Sequence, residues 1–222
     1  MNSLIRHGFQ MHPGVFAEDE ILALRHEADR VAADAGSACV RHLRDHSGMF
    51  RELARSSKIL SLLSDPDLQP VRSILFDKTP SENWPVAWHQ DLTICTKTEI
   101  ACEGYGPWSI KDGVPHVQPP VDLLKKMVTV RIHLDPTDAD NGALRVIPES
   151  HLHGRLNPAS ITDFAAAKPH TCECHPGDVL LMSPLILHSS LRSASPCRRR
   201  ILHFEYAPTD ALDARLTWHE PL

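Results

Sequence analysis

Nothing in this 222-residue chain approaches the unbroken apolar run of roughly 18 residues that a helix needs to cross a bilayer. A membrane-spanning protein is therefore not expected. Phosphate loops, dinucleotide fingerprints and the nucleophile elbow of serine hydrolases are absent as well. So are internal repeats and low-complexity tracts. Basic clusters are scarce: the formal net charge is −5, and Arg198-Arg199-Arg200 is the longest run of cations. That is too little for a phosphate-binding surface, so no nucleic-acid partner is expected. The six cysteines are scattered, and the closest pair, Cys172 and Cys174, lacks the spacing of a structural zinc site. The first residues hold no long apolar core of a secretion signal. Reduced thiols and a cytoplasmic location are the expectation.

What remains is an ordinary globular composition, 42% hydrophobic and 23% charged, sufficient for one domain with a sizeable core. Residues 17–35 read as a helix, with acids in the first turn, an apolar side at Ile21, Leu22, Leu24 and Val31, and Gly36 as the stop. A second helical stretch is expected over about 50–64. Beyond about 71 the pattern turns to short β-type runs at 71–77, 86–95, 127–135, 143–147, 178–187 and 200–207. Helices at about 17–64 followed by many short strands over 71–208 predict a mainly β core, a barrel or sandwich with helices on one face. The segment 99–125 is rich in glycine and proline. We read it as an irregular lid over a site, with Tyr105, Trp108 and His116 as candidate substrate contacts.

The chemistry begins at Trp88-His89-Gln90-Asp91. Side chains at i and i+2 of a strand leave the same face, so His89 and Asp91 can address one metal ion together. A second imidazole, His188, ends another apolar run. Two histidines and a carboxylate on one face of an ion leave the other open, which is the facial triad of non-haem Fe(II) oxygenases. Such enzymes need two electrons from a co-substrate. If that is 2-oxoglutarate, its distal carboxylate needs a fixed cation, best met by an arginine fork. Arg199 lies eleven residues past His188. Ser190 shares the strand face of His188. Strand parity selects Arg199 over its neighbours: it falls with Ile201, His203 and Glu205 on the less apolar face, whereas Arg200 falls with Leu202, Phe204 and Tyr206 and reads as a solvated or snorkelling residue. His151-Leu152-His153, His133 and the 170–175 stretch read as turn or packed strand residues.

These marks carry a resemblance to the phytanoyl-CoA dioxygenase family, which includes ectoine hydroxylase. The shared stretches are Phe76-Asp77-Lys78, Trp88-His89-Gln90-Asp91, Arg131-Ile132-His133-Leu134-Asp135, Asn141-Gly142-Ala143-Leu144-Arg145, Pro148-Glu149-Ser150-His151, Pro176-Gly177-Asp178 and His188-Ser189-Ser190 with Arg199. The chain departs from the family at Glu149, where members usually carry glycine. The resemblance implies a double-stranded β-helix, a cupin-like jelly-roll, with Fe(II) at His89, Asp91 and His188. It places 2-oxoglutarate on Arg199 and Ser190, with Lys78 touching it too. The reading that follows is a dioxygenase that spends O₂ and 2-oxoglutarate, releases succinate and CO₂, and hydroxylates an aliphatic C–H of a small molecule. Related halogenases carry a small residue at the position of Asp91, so the carboxylate favours hydroxylation. Two alternatives are a non-catalytic metal-binding jelly-roll and a cupin-type hydrolase or isomerase. Arg199 and Ser190 argue against the first, since a bare metal binder needs no co-substrate anchor. Desaturation, cyclisation or demethylation by the same oxidant stay open beside hydroxylation, and substrate identity and oligomeric state have no signature in the sequence.

Overall fold

A computed structural model describes residues 3–220. In chain order the helices are α1 (Ser3–His7), α2 (Glu18–Ala35), α3 (Leu43–His46), α4 (Gly48–Leu53), α5 (Ser57–Leu60), α6 (Val121–Lys126) and α7 (Pro158–Ala165). The strands are β1 (Phe9–His12), β2 (Cys39–Arg41), β3 (Leu68–Lys78), β4 (Val86–His89), β5 (Ile94–Cys95), β6 (Trp108–Lys111), β7 (Val114–Val117), β8 (Val128–His133), β9 (Leu144–Ile147), β10 (His170–Cys172), β11 (Val179–Met182), β12 (Leu187–Ser190) and β13 (Arg199–Pro208). Two antiparallel sheets form the jelly-roll, ordered β1-β11-β8-β13-β3-β2 and β10-β9-β12-β4. A small third sheet, β5-β7-β6, stands beside them.

Period-two patterning of β13 explains the layering. Leu202, Phe204 and Tyr206 are fully buried on its outer face and join one cluster with Ile21, Leu24, Ala28 and Val31 of α2. Arg199, His203 and Glu205 of the same strand face the interior between the sheets. There the lumen divides: Leu144, Val146, Leu180, Met182 and Ile186 make one apolar cluster, and charged side chains occupy the other part. Glu20 reaches back to the N–H of Ala17 at the start of α2, and Gly36 closes it in the left-handed conformation.

Several expectations need correction. The helix over about 50–64 is two short helices, broken at Ala54–Ser56. Serines at 56 and 57 favour a cap over a helix interior, and the Tyr206 hydroxyl donates to the freed carbonyl of Ala54 at 2.7 Å. The run 86–95 stops at His89 and resumes at Ile94, while 178–187 splits around Pro184. The segment 99–125 is not irregular: β6 and β7 form a hairpin across Asp112-Gly113, and α6 follows. Arg200 is not solvated. Its Nε and Nη2 donate to the two oxygens of Asp135 at 2.8 and 2.9 Å. The Pro-Glu-Ser-His turn keeps the conformation that glycine would take, with Glu149 at φ +68°. No helix among the described residues is long and apolar enough to cross a membrane.

Candidate active site

The pairing of β4 with β12 sets His89 directly across from His188, with ring centroids 4.2 Å apart. Asp91 lies just past the end of β4. Its backbone N–H donates to Pro184 O at 2.9 Å. The buried Gln90 side chain between the two candidate ligands donates to Gly154 O and Leu185 O and accepts from Leu156 N–H. Gln90 therefore pins the loop and leaves residues 89 and 91 on one side. His89 Nε2 is 3.6 Å from Asp91 Oδ1, and His188 Nε2 is 3.6 Å from Asp91 Oδ2. The three ligand atoms fall within 4.8 Å of one another, forming a potential metal site.

Each imidazole is oriented through its other nitrogen. Nδ1 of His89 donates to Ala87 O at 2.8 Å, and Nδ1 of His188 to Ile186 O at 2.9 Å. Both Nε2 lone pairs are thereby aimed at the space beside Asp91. Burial pushes the Asp91 carboxyl up, but His188 and the hydrogen bond from His89 overcome this and hold it far below the usual carboxylate range. Burial lowers His188 to about 4 despite Asp91. Burial opposes protonation of His89 too, yet Asp91 raises it, so a proton competes with a metal ion there. An ionised carboxylate and a neutral imidazole are the forms that ligate.

The group opens on a cavity of about 190 Å³. Arg199, Ser190 and Lys78 line it, as do Arg131, Arg72, His203 and Glu205. Lys78 and Arg199 are cross-strand partners. Lys78 Nζ donates to Ser190 Oγ at 3.0 Å, and the Ser190 hydroxyl donates to Gly142 O at 2.8 Å. Arg199 Nη1 donates to the same carbonyl. Its Nε is buried without a partner, and no ion pair among the described residues engages it. Burial and the nearby Arg131 lower Arg199 to about 9. A buried guanidinium without a counter-charge is costly unless an anion joins it.

Gly142 is fixed by this arrangement. Its φ is +76°, and a Cβ there would lie 2.5 Å from Leu191 O and 3.6 Å from Ser190 Oγ. Gly142→Ala is expected to displace the carbonyl that aligns Ser190 and Arg199. The concentration of 2-oxoglutarate giving half-maximal turnover should rise about tenfold or more. Unchanged kinetics would show that the carbonyl does not set this geometry.

Three sequence-predicted contacts lie elsewhere. Tyr105 and Trp108 pack into the cluster around Val117, Leu124 and Trp218. His116 is fully buried, 3.2 Å from Cys95 Sγ and donating from Nδ1 to Val114 O. None of the three lines the cavity; they pack beside and within the small sheet instead. The hairpin's tip meets the cavity wall where Arg41 pairs with Asp112 at 2.7 Å. Arg131, Arg72, His203 and Glu205 were not predicted as site residues, although alternation along β8 and β3 places Arg131 and Arg72 on the inner face.

The fold and the His89–Asp91–His188 group together define a jelly-roll with a potential metal site. The chain belongs to the phytanoyl-CoA dioxygenase family, whose model (Phytanoyl-CoA dioxygenase, PhyH) matches residues 4–201. No curated protein matches the sequence. Among solved structures, the non-haem α-ketoglutarate-dependent carbocyclase SnoK from nogalamycin biosynthesis superposes with a TM-score of 0.74 at 18% identity, covering 99% of this chain and 90% of SnoK. HygX from Streptomyces hygroscopicus, crystallised with nickel and 2-oxoglutarate, gives 0.67 at 19% identity over 93% of this chain and 85% of its own. Apo EctD from S. alaskensis gives 0.70 at 18%, covering 93% and 75%. These likenesses show that the chain has the fold of the Fe/2-oxoglutarate-dependent oxygenases.

Proposed function

We propose that this protein is an Fe(II)- and 2-oxoglutarate-dependent dioxygenase that hydroxylates an aliphatic C–H of a small metabolite. The observation that carries the reading is Arg199, a buried cation with no anionic partner, in one cavity with the His89–Asp91–His188 group. A bare metal binder would have no use for it. His89, Asp91 and His188 would hold the iron, which supplies O₂ activation coupled to oxidative decarboxylation of the keto acid. Arg199, Ser190 and Lys78 bind the distal carboxylate and so fix the co-substrate's register against the triad. Asp91 fills the third protein position with a carboxylate, which supports hydroxylation over halogenation. Anaerobic addition of Fe(II) and 2-oxoglutarate should produce a weak visible charge-transfer band, and O₂ with substrate should then release succinate. Absence of the band at saturating keto acid would defeat the reading.

Lys78 gives this binding step a proton signature. Burial, then Arg199, Arg131 and Arg192, lower its ammonium to about 7. A bound dicarboxylate offsets those cations and raises it again. Binding above pH 7 should therefore take up a proton, and affinity should weaken as pH rises past that point. Calorimetry at pH 8 in buffers of different ionisation enthalpy measures the uptake directly. Lys78→Met should abolish it; persistent uptake in that variant would locate the proton elsewhere.

A further inference from the structure

The cavity contains a second buried arginine that the reading above leaves unused. Arg131 projects inward from β8, opposite His203 of β13. Its residue is only 7% exposed. Nη1 donates to His203 Nδ1 at 3.0 Å, and the guanidinium stands 5.6 Å from the centre of the Phe76 ring. Nε is buried with no partner. No carboxylate forms an ion pair with Arg131 among the described residues; Glu205, the acid on that wall, is engaged by Arg72 and His203.

The hydrogen-bond order makes the point sharper. Because an arginine can only donate, His203 accepts at Nδ1 and carries its proton on Nε2, which faces Glu205 Oε1 at 3.3 Å. His203 is thus held neutral against Arg131 and cannot serve as its counter-ion. Burial lowers both groups. The anion that acts most strongly on Arg131 is the candidate metal ligand Asp91, which offsets only part of the cost of burial. The cavity therefore has two uncompensated buried guanidiniums, Arg199 at one end of the inner face of β13 and Arg131 toward the triad. One carboxylate satisfies only one of them.

We propose that Arg131 binds the keto-acid carboxylate of the co-substrate on the metal side, so that two arginines clamp the two ends of one dicarboxylate. This rests on the dioxygenase reading and deepens it. A guanidinium there neutralises the charge that the keto-acid end brings next to Asp91, and it turns the carboxylate so that the keto oxygen faces the triad. It also gives the site a preference for 2-oxo acids that Arg199 alone cannot supply.

Binding to the Ni(II)-loaded protein under argon, measured by calorimetry with three probes, separates the two arginines. The probes are 2-oxoglutarate, 2-oxobutyrate (no distal carboxylate) and glutarate (no keto-acid group). Arg131→Gln should weaken 2-oxoglutarate and 2-oxobutyrate by a common factor of about thirty or more and leave glutarate nearly unchanged. Arg199→Gln should weaken 2-oxoglutarate and glutarate and spare 2-oxobutyrate. Metal-free Arg131→Gln should melt no lower than the parent protein, because it removes an uncompensated buried charge. Wild-type protein that fails to bind 2-oxoglutarate at all would overturn the dioxygenase reading. Normal binding that Arg131→Gln leaves intact would overturn this inference alone. A lower melting temperature, or failure of the variant to fold, would mark Arg131 as a structural residue and overturn it too.

Discussion

His188→Ala should yield a folded protein that neither retains iron nor decarboxylates 2-oxoglutarate. His188 is the most enclosed of the three candidate ligands, 4% exposed, and its place opposite His89 is fixed by the sheet. Removing it leaves one imidazole and one carboxylate. Loss of even an outer partner of a metal ligand costs about 10–100-fold in affinity, so loss of the ligand itself should cost more. The structural cost is small by comparison. Its Nδ1 serves one carbonyl, Ile186 O, and a neutral hydrogen bond of that kind contributes about 1 kcal/mol. Metal analysis after desalting and an assay for succinate therefore read function, while the melting curve reads the fold. A variant with parental iron content and turnover would remove His188 from the site. His116→Ala is the contrasting case. Its ring fills a sealed contact with Cys95 in the small sheet, so the expected losses are of stability, with the metal content of folded protein preserved.

The difference between those two histidines measures how far the sequence could be read. His89, Asp91 and His188 were legible because i and i+2 of an extended run share a side and a third candidate ended another apolar run; in the structure β4 ends at His89, and the pinned Gln90 keeps Asp91 on that side. The inward placement of Arg199 was legible by parity along a single long strand. His116 was misread because proximity in sequence to the His-x-Asp strand stood in for proximity in space. The segment leaves the site, pairs β7 with β5 and β6, and buries its aromatic residues against α6 and Trp218. Of the glycines and prolines that suggested an irregular lid, Gly104, Gly106, Pro107, Pro119 and Pro120 flank the hairpin, Gly113 makes its turn and Pro115 lies within β7. Arg131 was overlooked for a related reason. Its neighbours Val130 and Ile132 made the run look like core, and alternation was not carried through to the residue between them. Arg200 was misjudged because its partner, Asp135, is distant in sequence and meets it only when β8 and β13 pair.

Arg199→Ala and Arg200→Ala should therefore fail in opposite ways. Arg200 holds Asp135 through two side-chain donors and through its own backbone N–H. Both partners are buried. Arg25 approaches the same carboxylate at 3.2 Å but is itself partly exposed, so it offsets only part of the loss. Truncating Arg200 strands a largely buried acid and should cost about 3 kcal/mol. For a chain of this size that lowers the melting temperature by roughly 6–12 °C. The affinity of the folded fraction for 2-oxoglutarate should stay near the parental value, because Arg200 points at α2 and not into the cavity. Arg199 has the reverse profile. No acid depends on it, so its loss should leave the ligand-free protein as stable as before, or slightly more so. What disappears is a charged fork for the distal carboxylate. Truncating one partner of a desolvated charge pair costs about 2–5 kcal/mol, equivalent to roughly thirty-fold or more in the 2-oxoglutarate requirement. Thermal melts with and without 2-oxoglutarate, run beside titrations of the charge-transfer band, place each variant on both axes. If Arg200→Ala proved the weaker binder while Arg199→Ala proved the less stable fold, the inner and outer faces of β13 would be exchanged. The cavity, the clamp and the assignment of the co-substrate end would fall with them.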